Sequence, residues 1–475
     1  MATIIPQIGG TICAIATPAG SGGIAVIRIS GNNAMQLCDT IFKAVNPHKS
    51  LVNQPANTAL YGHIYRGEEV IDEVISTPFR APHSFTGEDT VEIACHGSQY
   101  IQQQIISLLL SAGCRMAEPG EFTRRAFASG RIDLSQAEAV ADLIAATSAS
   151  AHRLAMNQMR GQFSRRLADL RLQLLEFVSL IELELDFSEE DVQFADRTRL
   201  TTLIQEISNE IGRLAHSFAV GNAIKNGVPV AIVGETNAGK STLLNRLVHD
   251  ERALVSDIHG TTRDVIEDTI TLGGTLFRFI DTAGIRETDD TIESMGIERT
   301  FGKLQQSEIA VWLIDSTTPS DEILELAQRI LPLCEEKKLI IVFNKADLLC
   351  DENLLQLNNL EATLLQCRPD TPTLRISARN NDGIDLLEKQ LIAAAQLPTA
   401  DNNDVIVTNA RHHQALMLAL DAINRVADGL TNDIPTDFVA QDIRECMHHL
   451  GEITGQISTD EILGSIFSRF CIGKK

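Results

Sequence analysis

Gly234, Gly239, Lys240 and Ser241 stand at the spacing G-x-x-x-x-G-K-S/T. They lie between the apolar run Val230–Val233 and the helix-compatible start Ser241-Thr242-Leu243-Leu244. Glycines let such a loop curl so that backbone N–H groups converge on phosphate oxygens, and the helix that follows adds the positive end of its dipole. In this pattern Lys240 reaches the β- and γ-phosphates and Ser241 holds Mg²⁺. At average residue frequencies a chain of this length supplies roughly 0.02 such matches by chance, so the stretch is read as a nucleoside triphosphate site.

The residues downstream select the base. Asn344-Lys345-Ala346-Asp347 follows the apolar run Leu339–Phe343. A carboxylate there accepts two hydrogen bonds from the N1–H and 2-amino group of guanine, which adenine cannot supply. Ser377-Ala378-Arg379, after Leu374–Ile376, offers a backbone N–H to the guanine oxygen. Asp268–Leu272 and Thr275–Ile280 flank Gly273-Gly274, a two-residue hairpin signal. The second of these runs leads into Asp281-Thr282-Ala283-Gly284, where Asp281 reaches Mg²⁺ through water and the Gly284 N–H senses the γ-phosphate. Between loop and hairpin, Gly260-Thr261-Thr262-Arg263-Asp264 reads as a switch segment with Thr262 on Mg²⁺. Ile285 stands where Ras-like enzymes carry a water-orienting glutamine, and Arg286, Glu287 and Glu293 are the nearby groups that could replace it. The guanine nucleotide site is therefore assigned to Asn237, Ala238, Gly239, Lys240, Ser241 and Thr242, to Gly260, Thr261 and Thr262, to Asp281, Thr282, Ala283 and Gly284, to Asn344, Lys345, Ala346 and Asp347, and to Ser377, Ala378 and Arg379; Ser256, Asp257, Ile258 and His259 join it only as what the family resemblance given below implies.

The elements that must position these residues fit a chain of 475 residues, enough for two to four domains. The formal net charge of -23 argues against a general polyanion binder. Charge is uneven, however, with eight arginines against five acids over residues 121–171. On charge alone that run reads as a solvated helix face. Nine cysteines without a C-x-x-C support neither a zinc ribbon nor a disulfide framework, and point to reduced thiols in a cytoplasmic protein. The absence of Lys or Arg before Arg28 argues against a secretory leader, and no apolar run approaches the ~20 residues of a membrane span.

Ahead of the nucleotide loop, the strand-like runs Ile24–Ile29 and Thr90–Cys95 embed Arg28 and Glu92. By strand parity Glu92 shares a face with Thr90 and Ala94, opposite Val91, Ile93 and Cys95. Charges so placed are either structural partners or a functional pair. Gln102–Leu110 looks helical, and Ser135-Gln-Ala-Glu138 reads as a capping box that starts another helix. Phe163, Leu167, Leu170, Leu174, Phe177 and Ile181 form a heptad seam, the mark of bundle core. A second long helix carries Leu200 to Phe218 and is expected to end at Gly221-Asn222. Helical periodicity returns at Ala415–Val426 and Phe438–Leu450, which suggests one helical domain interrupted by the nucleotide domain.

The combination resembles the TrmE family of tRNA-modifying GTPases over essentially the full length. The resemblance rests on Ala16-Thr-Pro18, Gly22-Gly23, Ser84-Phe-Thr-Gly-Glu-Asp89, Pro119-Gly-Glu-Phe122, Asp133-Leu-Ser-Gln-Ala-Glu138, the GTPase motifs and the terminal Cys471-Ile-Gly-Lys474. It implies a multidomain α/β architecture: a Ras-like GTPase domain (226–385) inserted into a helical-bundle domain (126–225 and 386–475), preceded by an α+β folate-binding and dimerisation domain (1–125). It implies a 5-formyl- or methylene-tetrahydrofolate held by Arg28, Glu92, Arg131 and Lys474. Arg131 replaces the lysine familiar there, and Lys474 is penultimate because of Lys475. It further implies K⁺ bound by Asn237, Ser256, the Ile258 carbonyl and Thr261, with Ser256 in place of a threonine, and Glu293 as the water-orienting acid. The implied reaction installs a carboxymethylaminomethyl or aminomethyl group at C5 of the wobble uridine of certain tRNAs. The homodimer would act in a heterotetramer with the FAD-dependent MnmG (GidA), with Cys471 as a candidate catalytic thiol or a terminal packing residue. The rival readings are a stand-alone regulatory or ribosome-assembly GTPase, and a folate enzyme in which the GTPase is only a conformational timer.

Overall fold

The computed structural model describes residues 9–186, 197–235, 237–249, 268–280, 304, 306–395, 405–432 and 434–457. They divide into two compact units, one from the segments 1–145, 154–215 and 411–475, the other from 146–153 and 216–410.

The first unit begins with β1 (Ile12–Ile15), β2 (Gly22–Ser30), α1 (Ala34–Asp39), β3 (Phe42–Ala44), β4 (Leu60–Arg66), β5 (Glu69–Phe79), β6 (Thr90–Gly97), α2 (Gln99–Ser111) and β7 (Arg115–Met116). The strands form one seven-stranded sheet in the order β3-β4-β5-β6-β2-β1-β7, antiparallel except for the parallel pair β1–β7. Side chains alternate between its faces as strand geometry demands. Ile27, Ile29, Val91, Ile93 and Cys95 join Met35, Cys38, Ile105 and Leu109 in one core. On the other face, Arg28 sits directly opposite Glu92 across β2 and β6.

Next come α3 (Glu121–Ala128), α4 (Leu134–Ala145), α5 (Ala149–Met159), α6 (Gln162–Asp186) and α7 (Arg197–Asn226). All six residues of the α6 seam, Phe163 to Ile181, are buried. Two expectations about helix ends are corrected. The capping box lies two residues earlier than read. The Asp133 carboxylate accepts the Gln136 N–H at 2.9 Å, and the Gln136 side-chain oxygen accepts the Asp133 N–H at 3.0 Å. Asp133-x-x-Gln136 satisfies the reciprocal pattern as well as Ser135-x-x-Glu138 does, so Ser135 and Glu138 are free to face inward. Nor does α7 stop at Gly221: it continues to Asn226. Gly221 is needed there for space, since a Cβ would lie 2.0 Å from the Val407 carbonyl oxygen.

The second unit contains β8 (Val228–Val233), α8 (Lys240–His249), β9 (Asp268–Leu272), β10 (Thr275–Phe279), β11 (Ile309–Asp315), α9 (Ser320–Ile330), β12 (Lys338–Asn344), α10 (Asp351–Cys367), β13 (Thr373–Arg375) and α11 (Ile384–Ala395). Its six-stranded sheet runs β13-β12-β11-β8-β10-β9, parallel but for the edge strand β9, which forms the expected hairpin with β10. Helices cover both faces, which is why β11 and β12 read as continuous apolar runs. Val230 and Ile232 pack with Leu243, Leu247, Leu387 and Leu391 of α8 and α11. Ala231 and Val233 pack on the other side with Trp312, Ile323, Leu357 and Leu360. The chain then returns to the first unit as α12 (Ala410–Thr431) and α13 (Thr436–Thr454).

Among the described residues every cysteine is a free thiol, and no helix is long and apolar enough to cross a membrane.

Candidate functional site

Strand β8 delivers the nucleotide loop at its C-terminal end, and α8 starts at Lys240, so the loop faces a helix N-terminus as phosphate binding requires. Asn237 holds a left-handed backbone (φ 67°) inside the loop. The Lys240 ammonium donates to the carbonyls of Gly234 (2.8 Å) and Glu235 (2.7 Å), placing its charge within the loop. Ser241 and Thr242 follow in the first turn of α8.

The base-selecting loop is fastened to the phosphate loop by one side chain. Asn344 ends β12 with 3% of its surface exposed. Its Nδ2 donates to the Ala238 carbonyl at 2.8 Å, and its Oδ1 accepts the Ala378 N–H at 3.0 Å. Three of the sequence-assigned segments thus meet at Asn344. The contact is so close that a Cβ on Gly239 would lie 2.2 Å from Asn344 Nδ2. The second loop glycine is therefore required by the asparagine's close approach.

Lys345 adopts a left-handed conformation (φ 62°) and pairs with Asp315 at the end of β11. Burial raises the Asp315 carboxyl, but Lys345 and the Thr317 N–H and hydroxyl outweigh it and hold it below its ordinary value. Asp315 went unassigned in the sequence; its only signal is an acid ending the apolar run of β11. Asp347 lies in a short 3-10 turn with its side chain exposed, and Ser377 and Ala378 are buried beside Asn344. Arg379 is exposed, and its carbonyl accepts from Arg246 Nη2 at 3.1 Å.

A second polar site lies on the β2–β6 face. Arg28 Nε and Nη2 both donate to Glu92 Oε1, at 2.9 and 2.6 Å. The Arg28 side chain is 6% exposed and that of Glu92 30%. Its guanidinium carbon lies 5.9 Å from the centre of the Phe85 ring and 5.7 Å from that of Phe122, in range for cation–π contact. Arg28 Nη1 is buried and has no hydrogen-bond partner among the described residues. A buried guanidinium N–H left in that state is costly.

The two phenylalanines are set in place by a network that sequence reasoning missed. Arg125, read as part of a solvated arginine face, is 4% exposed. It donates to Glu88 Oε2 (2.9 Å), Glu121 Oε1 (2.9 Å) and the Gly10 carbonyl (2.9 Å). Glu88 in turn accepts from Ser30 Oγ at 2.9 Å, and Ser30 and Thr86 share a 2.8 Å hydrogen bond. Burial works against the charge of Glu121, yet Arg115, the Glu118 N–H and Arg125 hold its carboxyl below the usual range. The loop 84–89 and α3 are thereby bound to the sheet around Arg28. The usable signal was the pairing of a polar loop, Ser84 to Asp89, with a downstream arginine.

Arg131 is exposed just past α3, its N–H donating to the Ala126 carbonyl at 2.9 Å. Ser256, Asp257, Ile258, His259, Gly260, Thr261, Thr262, Asp281, Thr282, Ala283, Gly284, Glu293, Cys471 and Lys474 lie outside the described residues.

Two family descriptions match the chain: "GTP-binding protein TrmE N-terminus" over residues 11–131 and "MnmE helical domain" over residues 134–471. A tRNA modification GTPase MnmE of Bacteroides thetaiotaomicron is 60% identical over 465 residues, covering 98% of this chain and 99% of that protein. Its counterpart in Parabacteroides distasonis is 56% identical over 466 residues, with 98% and 100% covered. That of Flavobacterium johnsoniae is 51% identical over 471 residues, with 98% and 99% covered. With identity at this level along the whole chain, and the Asn344-centred nucleotide loops in place, the chain belongs to the MnmE family of tRNA modification GTPases.

Proposed function

We propose that this GTPase hydrolyses GTP in a K⁺-dependent manner to drive modification of the wobble uridine of certain tRNAs. In this reading a folate one-carbon unit and an FAD-dependent partner, MnmG (GidA), build a (carboxymethyl)aminomethyl group at C5. The observation that carries the one-carbon part is Arg28 Nη1, a buried donor without a partner beside Glu92 and two aromatic rings. A reduced pterin presents a matching edge. Its adjacent N–H groups suit a carboxylate, the neighbouring carbonyl suits Arg28 Nη1, and its flat ring suits Phe85 and Phe122. Arg131 and Lys474 complete this site, and Cys471 is a candidate thiol for the chemistry or a terminal packing residue.

In the nucleotide site Ser241 and Thr262 hold Mg²⁺, while Asn237, Ser256, the Ile258 carbonyl and Thr261 hold K⁺. A monovalent cation there supplies positive charge against the charge developing on the phosphates. Glu293 orients the attacking water, which accounts for Ile285 in place of glutamine. The proposed division is 1–125 for folate binding and dimerisation, 226–385 for the GTPase, and 126–225 with 386–475 for the helical domain. The protein works as a cytoplasmic homodimer within a heterotetramer.

Replacing K⁺ by Na⁺ in a steady-state assay should lower GTP turnover at least about tenfold, the order of a lost transition-state charge contact. Turnover independent of the alkali cation would overturn the potassium assignment. Glu293→Ala should leave nucleotide affinity unchanged and lower kcat by about 10²- to 10³-fold, as loss of a general base or water-orienting group does. Titration with a fluorescent guanine nucleotide alongside the rate assay checks this, and equal loss of binding and turnover would contradict it.

A further inference from the structure

We propose that the corner between α5 and α6, with Arg160 and Arg165 at its centre and Arg131 beside them, is where this GTPase grips the phosphate backbone of its tRNA. The proposal rests on the tRNA-modifying role of the family and adds the surface that meets the nucleic acid.

The arginine-rich run 121–171 holds no lysine. Arginine's planar fork matches phosphate oxygens in pairs, whereas an ammonium meets them only as a point charge. Seven of the eight arginines belong to the first unit, and the structure sorts them into two groups. Arg124 pairs with Glu118 and Arg166 with Glu210, each at 2.7 Å. Arg125 is locked between Glu88 and Glu121, and Arg171 Nε donates to the Met447 carbonyl at 3.2 Å. Arg131, Arg160 and Arg165 are exposed and have no carboxylate partner among the described residues. In a chain with 63 acids against 40 Lys and Arg, three guanidinium groups left without an acid make a patch of opposite sign to the protein as a whole.

Backbone ties bring the three together. Arg160 closes the last turn of α5, its N–H donating to the Met156 carbonyl at 3.0 Å. Gly161 then turns the chain with a left-handed φ of 74°. Arg165 folds back over this turn, with Nε donating to the Gly161 carbonyl at 3.3 Å and Nη2 to the Arg160 carbonyl at 3.4 Å. On the other side, Gln136 Nε2 donates to the Met159 carbonyl at 2.9 Å, and Gln136 also closes the cap with Asp133, two residues after Arg131. The hydroxyls of Ser135 and Ser164 share a 2.8 Å hydrogen bond that holds α4 against α6. Asp133 turns its carboxylate onto the Gln136 N–H and the Ser135 hydroxyl rather than onto an arginine.

Stability does not call for this arrangement. Cations in the first turn of a helix oppose its dipole, and α6 opens with Arg165 and Arg166 and without an acid. A polyanion laid across the corner offsets that mismatch. Phosphate contacts of this kind position a nucleic acid without reading its sequence. Arg131 also belongs to the proposed one-carbon site, so RNA held here lies next to the place where its base would be modified.

Filter binding of an unmodified tRNA transcript, with uridine at the wobble position, to the full-length protein across a salt series tests the proposal. Arg160→Ala and Arg165→Ala should each weaken binding about fivefold and lower the slope of log affinity against log salt by about one, the signature of one lost phosphate contact. Arg166→Ala removes the same charge from the neighbouring position, but from an ion pair with Glu210. It should change affinity by less than about twofold, with melting curves as the control for folding. Equal weakening by Arg166→Ala would mark a general charge effect and overturn the proposal. Unchanged binding in the Arg160→Ala/Arg165→Ala double variant would overturn it as well. A wild-type protein that does not bind the transcript, from cells whose tRNA loses its wobble modification when the gene is deleted, would place the grip on a partner and overturn this proposal while the modifying role stands.

Discussion

Asn344→Ala is expected to lower affinity for guanine nucleotides at least about 30-fold, because it strands two buried backbone groups in two different loops. The Ala238 carbonyl and the Ala378 N–H would both lose their partner. Leaving a buried polar group unsatisfied costs about 1–3 kcal/mol, so the pair costs about 2 kcal/mol at the least, which is about 30-fold in an equilibrium constant. The loops would relax toward water to recover those bonds, and the relaxed arrangement no longer matches the nucleotide. Asn344→Asp separates the two ties. Its carboxylate can still accept from Ala378, but it meets the Ala238 carbonyl as a second acceptor and should be nearly as damaging. Titration with a fluorescent GDP analogue, with melting curves as the control for folding, measures both variants. A loss of less than threefold in Asn344→Ala would show that the loops are ordered by other means.

Glu138→Ala is expected to destabilise the first unit by about 3–5 kcal/mol, the range for breaking one partner out of a buried ion network. Glu138 lies on the inward side of α4, made available by the Asp133–Gln136 cap. Its carboxylate receives Arg411 Nε at 3.0 Å and Nη2 at 3.1 Å, and stands 2.6 Å from His412 Nε2. Arg411 also donates to the carbonyls of Glu452 (2.8 Å) and Ile453 (3.0 Å), where α13 ends. One carboxylate therefore joins α4 to the start of α12 and, through Arg411, to the last carbonyls of a helix C-terminus, where cations are favoured.

Burial alone would raise the Glu138 carboxyl, but His412 and Arg411 outweigh it and bring it from 4.5 to about 2. Because the folded value is depressed, the stabilisation is fully present above about pH 4.5 and is lost as pH falls toward about 2. A drop of that size corresponds to about 3 kcal/mol, in line with the mutational figure. Urea unfolding between pH 7 and pH 3 should show this acid-linked loss in the wild type and a markedly smaller one in Glu138→Ala. The same pH slope in both would remove Glu138 as its source.

What the sequence disclosed followed the range of the interactions involved. The phosphate loop and Asn344–Asp347 are legible because each is a local geometry with few alternatives in residue type. The α6 seam is legible because helical period alone determines which residues face inward. Where two local solutions were available, the choice depended on tertiary contact. Asp133–Gln136 took the cap because Ser135 and Glu138 are buried on the inner face of α4. Gly221 resembled a helix stop until the Val407 carbonyl explained why no side chain fits. Arg125 looked solvated because two of its partners, the Glu88 carboxylate and the Gly10 carbonyl, are distant in sequence. Arg28 and Glu92 sit 64 residues apart, so only the sheet register could show that they face one another. Those non-local pairings build the second site, and they are what a reading of runs and spacings does not supply.

The most direct test of the central claim is nucleoside mass spectrometry of tRNA from cells lacking this protein. C5-carboxymethylaminomethyl and aminomethyl uridines should disappear from the wobble position, and should return with the wild-type gene but not with Asn344→Ala. Unchanged wobble modification in those cells would contradict it.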